Sequence, residues 1–308
     1  MTGDCEAVTA RLAETLRSSV NGDGGWGYFP GKTSRLEPTC WAALALLDSG
    51  ATTDDGARVD AALVRLAGWQ RADGLLADTP AAPCNLAFNG LAAVVIHRAF
   101  ATRRAAVSRQ APMADKLLSG ILAIEAVRLD RSEQQRQNNQ LVGWPWNDGT
   151  FSWVEPTSWC LLGLKKAAGS PSRAGAAARI AEAERVLADR CCVSGGWNVG
   201  NSNVLGKELF PYVPTTVLAL LALRDRRDLA EVTRSLAWLA DNWIHEVSAL
   251  ASSLALMAMR LYRRPAEDLE RAVCTHVTQG GVPGNVTSSA LTLYALTGSR
   301  HEYAALAL

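Results

Sequence analysis

Gly25-Trp26 followed by Leu36-Glu37-Pro38-Thr39-Cys40-Trp41, and Gly143-Trp144 followed by Val154-Glu155-Pro156-Thr157-Ser158-Trp159, are two copies of one phrase with the same internal spacing. Each copy runs on into an Ala/Leu stretch. A third, looser copy leads from Gly196-Trp197 to Tyr212-Val213-Pro214-Thr215-Thr216 across a loop about five residues longer. Self-similarity of this kind marks a supersecondary unit that cannot bury its apolar face alone and stacks on copies of itself.

Around these phrases the periodic segments are built from Ala, Leu, Arg and Glu, with little β-branched alternation, so the chain reads as all-helical. Stretches with one polar face alternate with stretches that are apolar nearly all round. The pairs are 5–18 with 38–48, 56–70 with 84–101, 113–129 with 156–167, 176–190 with 214–225, 229–242 with 246–262, and 265–277 with 286–297. A helix that is polar on one face meets water there, whereas one that is apolar all round must be enclosed. Six antiparallel outer/inner hairpins therefore predict an (α/α)6 toroid formed by residues 1–308 as a single domain, with an inner ring of helices sheathed by an outer one. Pro38, Pro156 and Pro214 mark inner-helix starts, where a missing N–H costs nothing. Residues 132–139, rich in Gln, Asn and Arg, read as a solvated loop, and Lys165-Lys166 and Arg224 to Arg227 as solvated turns.

Composition narrows the function classes. With 31 Lys plus Arg against 30 Asp plus Glu, no charge excess draws the chain to phosphate backbones, and nucleic acid is not an expected partner. No stretch of about 18 uncharged apolar residues suits a bilayer span; peripheral membrane contact stays open. Met1 to Leu16 lacks an apolar h-region, so the expected location is cytoplasmic. The seven cysteines, an odd number in mostly apolar surroundings, read as reduced thiols acting as small hydrophobes.

The Gly-Gly-Trp loops before Thr-containing, Ala/Leu-rich inner helices resemble the prenyltransferase and squalene-cyclase type of α/α toroid, over Gly24 to about Thr297. Aligned on the Thr, Glu37 and Glu155 fall on the position where class II terpenoid cyclases carry the proton-donating Asp of Asp-x-Asp-Asp-Thr. Here Pro follows the Glu and the first Asp is lost. The zinc-ligand pattern of protein prenyltransferases is not met either. Asp189-Arg190-Cys191 precedes its Gly-Gly-Trp, and no His stands near Tyr212-Val213-Pro214, so neither a metal nor another cofactor is expected.

The candidate catalytic residues are Glu37 and Glu155. A carboxylate in this place is also explained by capping and the helix dipole alone. Candidate substrate-binding residues are Trp41, Trp159, Trp153, Phe210, Tyr212 and His245, the last at the expected start of the fifth inner helix. Trp26, Trp144 and Trp197 read as clamps between hairpins. The resemblance implies an isoprenoid-binding or terpenoid-cyclase-like protein with an aromatic rim, an apolar small-molecule ligand and acid-initiated chemistry. A non-catalytic toroid binding a small molecule or protein, and a carbohydrate-active enzyme using paired carboxylates, stay open beside it.

Overall fold

The computed structural model describes residues 3–49, 52–79, 82–107, 111–130, 136–167, 175–298 and 302–308. These hold twelve α-helices: α1 Gly3–Ser18, α2 Leu36–Asp48, α3 Thr53–Gly68, α4 Leu86–Val107, α5 Ala111–Ala123, α6 Val154–Lys166, α7 Ala176–Arg190, α8 Val213–Ala222, α9 Ala230–Asn242, α10 Ala249–Leu261, α11 Glu267–Gly280 and α12 Val286–Thr297. The even-numbered helices are the enclosed ones. In α2, α6, α8, α10 and α12 nearly every residue is buried, whereas α7, α9 and α11 bury a single stripe. The only strands among the described residues, β1 Asn203–Val204 and β2 Lys207–Glu208, form a small hairpin in the third Gly-Trp loop. Its turn, Leu205-Gly206, has positive φ at both positions, 51° and 75°, the twist a two-residue hairpin favours.

Two compact units divide the chain. The first comprises Met1–Trp69, Val95–Ala111 and Ile244–Ala307, the second Gln70–Val94, Pro112–Trp243 and Leu308. Within the first, α2 packs on α3 and α12, α10 on α11 and α12, and α1 on α11 and α12. The first and last hairpins of the sequence are thus direct neighbours. A disulfide joins Cys5 of α1 to Cys274 of α11, with Cα atoms 5.5 Å apart. That corrects the expectation of seven reduced thiols: α1 and α11 bring two of them within bonding reach, while Cys40, Cys84, Cys160, Cys191 and Cys192 are buried and form no disulfide. Within the second unit α6 packs on α7 and α8. Gly90 of α4 lies so close to α6 that a Cβ would sit 2.5 Å from the Cys160 nitrogen.

The Gly-Trp phrase is a latch. Trp26, Trp144 and Trp197 are each fully buried. Each indole Nε1 donates to a carbonyl in the last turn of the preceding outer helix: Leu16 at 2.8 Å, Ile121 at 2.8 Å and Leu187 at 2.6 Å. Each Trp backbone N–H donates to the Oγ1 of the Thr at the fourth position of the following inner helix: Thr39 at 2.9 Å, Thr157 at 3.0 Å and Thr216 at 2.9 Å. The tryptophans thus clamp hairpins, as expected. Glycine precedes each of them because the latch leaves no room for a side chain; a Cβ on Gly143 would lie 2.3 Å from Thr157 Oγ1.

A fourth latch escapes sequence reading. Leu76 N–H donates to Asn89 Oδ1 at 2.7 Å and Asn89 Nδ2 donates back to the Leu76 carbonyl at 3.0 Å, so Leu replaces Trp and Asn replaces Thr. The signal was Asp73-Gly74, which repeats Asp23-Gly24. In both, the Asp carboxylate accepts a backbone N–H two residues on at 3.0 Å, and the Gly has φ near +85° (82° and 87°).

Several expectations need correcting. The helix expected over 113–129 ends at Ala123: the Ile121 carbonyl is taken by the Trp144 indole, and that of Ile124 by the Arg179 guanidinium at 3.1 Å. Of the loop expected over 132–139, residues 132–135 lie outside the described residues. Gln137 and Asn139 are buried, and Arg136 donates to the Cys191 carbonyl at 3.1 Å and to Ser202 Oγ at 2.9 Å. Lys165 does not sit in a solvated turn. It is buried, with its Nζ 2.9 Å from the Ala222 carbonyl, 2.6 Å from Asp225 and 2.8 Å from Glu184, three acceptors that offset the cost of desolvating the ammonium.

Candidate functional site

The inner helices start earlier than their prolines suggest. Pro38 and Pro156 are third residues and Pro214 a second, because the first-turn N–H groups all lack an acceptor four residues back. Glu37 and Glu155 consequently become the second residue of α2 and α6, inside the first turn. Thr39 and Thr157, two positions further on, face their own Gly-Trp loops. Two residues turn a helix by about 200°, so each Glu stands on the side of its helix away from that Thr.

In the first unit Glu37 is half-buried, and Tyr28 donates its hydroxyl to Glu37 Oε2 at 2.7 Å. Burial pushes the carboxyl above its ordinary range, and the Tyr28 hydrogen bond pulls the other way without cancelling that effect. The Arg35 guanidinium lies 6.0 Å from the centre of the Tyr28 ring. One turn below Glu37, Trp41 is 3% exposed and its ring meets that of Tyr294 at 6.4 Å between centroids. Phe29 beside Tyr28 is half exposed. The Tyr28 carbonyl accepts the N–H of Val286, the first residue of α12, at 2.8 Å, which ties this loop to the last inner helix. His245 belongs to the same unit, but it lies in an exposed 3-10 turn, Trp243–His245. The fifth inner helix begins only at Ala249, where Ser248 caps it, so His245 is not at a helix start as expected.

In the second unit Glu155 and Trp159 repeat the relation of Glu37 and Trp41, with Glu155 half-buried and Trp159 3% exposed. Trp153 immediately precedes α6, and its N–H donates to the Trp144 carbonyl at 3.1 Å. Its ring lies 4.7 Å from that of Phe151, and Gly200 packs against its six-membered ring. Tyr212 precedes α8 in the equivalent way, donating to the Trp197 carbonyl at 2.9 Å, with its side chain 54% exposed. Phe210, just after the β-hairpin, is 84% exposed. The Val199 carbonyl accepts the first N–H of α6 at 3.0 Å and that of Trp146 the first N–H of α4 at 2.9 Å, the same tie that Tyr28 makes to α12.

Asp55, in the first turn of α3, is a cap. Its carboxylate accepts the Thr52 N–H at 3.1 Å, pairs with Arg17 at 2.8 Å, and titrates below the ordinary range because of those bonds. Among the described residues no group of three or more His, Cys, Asp or Glu side chains is arranged to hold a metal ion. No helix among them is long and apolar enough to cross a membrane.

No protein-family model matches the chain, and no curated protein matches it at a significant level. Solved structures do. A glycosidase variant in complex with glucose is 11% identical with a TM-score of 0.63, covering 99% of this chain and 98% of that one. The GH76A α-1,6-mannanase of Salegentibacter sp. HEL1_6 is 11% identical with a TM-score of 0.62, covering 96% and 99%. The type II terpene cyclase MstE from Scytonema is 12% identical with a TM-score of 0.62, covering 98% and 99%. At such identities the likeness speaks of fold alone, and the fold is the all-α (α/α)6 toroid that the hairpin alternation predicts. The squalene-cyclase type is one of several enzyme classes built on it.

Proposed function

We propose that this protein is an acid-catalysing enzyme of the terpenoid-cyclase type, in which Glu37 donates a proton to an apolar, isoprenoid-like substrate. The reading rests on one observation: a carboxyl in the first turn of an inner helix, held by the Tyr28 hydroxyl and raised above its ordinary range by burial. Protonating an alkene or epoxide needs a single neutral acid beside aromatic rings. The proton leaves Glu37 for the substrate, the carboxylate left behind keeps the Tyr28 hydrogen bond, and a proton returned from the cation or from solvent resets it. Trp41 supplies the ring face that steadies a cation formed at Glu37; in the second unit Trp153, Trp159, Phe210 and Tyr212 are the rings that serve Glu155. Glu155 holds the equivalent helical position and is the alternative donor.

Glycoside cleavage is the second reading, favoured by the glycosidases among the structures of like fold; there Glu37 protonates a glycosidic oxygen. One assay separates the two. Wild type, Glu37→Gln and Glu155→Gln are incubated with polyprenyl substrates and with α-1,6-linked mannooligosaccharides, and products are followed by mass spectrometry. Turnover of a polyprenyl substrate that Glu37→Gln abolishes, with the melting temperature nearly unchanged, supports the first reading. Turnover of the sugar alone sinks it, as does a Glu37→Gln variant that keeps full polyprenyl activity.

A further inference from the structure

All six inner helices carry a hydroxyl or amide at their fourth position: Thr39, Asn89, Thr157, Thr216, Ser252 and Ser289. In α12 this residue is Ser289, whose Oγ donates to the Pro283 carbonyl of its own loop at 2.8 Å. Thr287, two residues earlier, is therefore turned about 200° away from Ser289, as Glu37 is turned away from Thr39. Thr287 is the second residue of α12, as Glu37 is of α2, and the two helices pack together. Tyr28 lies between them: its hydroxyl reaches Glu37, and its carbonyl accepts from Val286, the residue next to Thr287.

The Thr287 side chain is 4% exposed, and its Oγ1 has no hydrogen-bond partner among the described residues. Inside a helix a threonine can return its hydroxyl to the carbonyl four residues back. Here that carbonyl is Pro283, which already serves Ser289. A buried hydroxyl without a partner costs stability, and a ligand atom that supplies the partner offsets that cost.

We infer that Thr287, with Tyr28 and Glu37, forms a subsite for an uncharged oxygen function of the ligand, a hydroxyl, ether or carbonyl, so that the substrate is an oxygenated molecule and not a plain hydrocarbon. Thr287 acts here as a binding residue that holds the oxygen beside the Glu37 carboxyl. This deepens the acid-catalysis reading and rests on it for the identity of the site, yet its test needs no turnover.

The experiment uses the full chain and Thr287→Val, which keeps the shape and removes only the hydroxyl. Binding of all-trans-farnesol and of the oxygen-free β-farnesene is followed by quenching of tryptophan fluorescence, and melting temperatures are measured without ligand. The expected results are a wild-type preference for the alcohol, a loss of about tenfold in farnesol affinity in Thr287→Val with the hydrocarbon unaffected, and a melting temperature raised by roughly 2 °C. A wild type without preference for the alcohol overturns the inference. So does a variant that keeps the preference, or one that melts lower, which means the hydroxyl already has a partner. A Glu37→Gln variant that retains turnover while Thr287→Val loses the farnesol preference sinks the acid role and leaves the subsite standing.

Discussion

Replacing Thr39 by Val tests the latch on which the inner-helix tips depend. Thr39 and Trp26 are both fully buried; the Thr39 hydroxyl accepts the Trp26 N–H at 2.9 Å and lies 3.3 Å from the Trp26 carbonyl. The carbonyl keeps a second donor, the Arg35 N–H at 2.8 Å, but the N–H has none in the variant. An orphaned buried N–H costs about 2 kcal/mol, and the methyl that replaces the hydroxyl fills its volume, so no cavity term is added. With an unfolding entropy of about 2.1 cal/mol/K per residue, that is a fall of roughly 3 °C in a chain of this length. Thr157→Val breaks the corresponding latch in the second unit, and the double variant should lose about 4 kcal/mol because the two sites lie in different loops. Urea denaturation followed by circular dichroism reads all three, with Thr39→Ser as the control that keeps the hydroxyl. Thr39→Val within about 0.5 kcal/mol of wild type, or Thr39→Ser as damaging as Thr39→Val, would refute the account of the latch.

Glu37, raised above its ordinary value of 4.5 by burial, binds its proton more tightly when folded than when unfolded. Its contribution to stability is therefore complete below the ordinary carboxylate range and is lost as pH rises through the raised value. Denaturation midpoints across pH 4 to 8 should show this component in wild type and not in Glu37→Gln. Gly90→Ala drives a Cβ to within 2.5 Å of the Cys160 nitrogen and 2.8 Å of Trp159 Cβ, so α4 and α6 must part. A loss of about 3 kcal/mol in urea is expected, and an equally stable variant would mean the two helices do not meet at Gly90. Reducing the Cys5–Cys274 disulfide, which spans 269 residues of sequence, should lower stability by about 2–4 kcal/mol. A Cys274→Ser variant that melts like wild type, with and without reductant, contradicts that linkage.

How much of the site was legible in the sequence follows from what each residue's signal depends on. Glu37, Glu155 and their tryptophans were singled out as candidates because the Glu-Pro-Thr phrase is repeated, and repetition is visible without coordinates. Tyr28 was legible only as one aromatic of the rim, and Thr287 not at all. Tyr28 matters through a hydrogen bond across nine residues, and Thr287 through the packing of the last inner helix on the first; neither relation leaves a spacing in the chain. His245 was misplaced because an apolar run blurs where a helix begins, and the Ser248 cap decides it.

The sequence by itself determined the alternation of enclosed and half-wet helices, since burial follows from which faces are apolar, and it determined the Gly-Trp loops, since only glycine leaves room for the threonine hydroxyl. Two helix spans, Ala176–Arg190 and Val286–Thr297, agree with the expectation at both ends. Tertiary structure alone decided which hairpins meet, that Cys5 and Cys274 pair, and that the Glu37 carboxyl is raised. Each of these depends on distances between residues far apart in the chain, and on how much water a neighbour removes, quantities that no local pattern encodes.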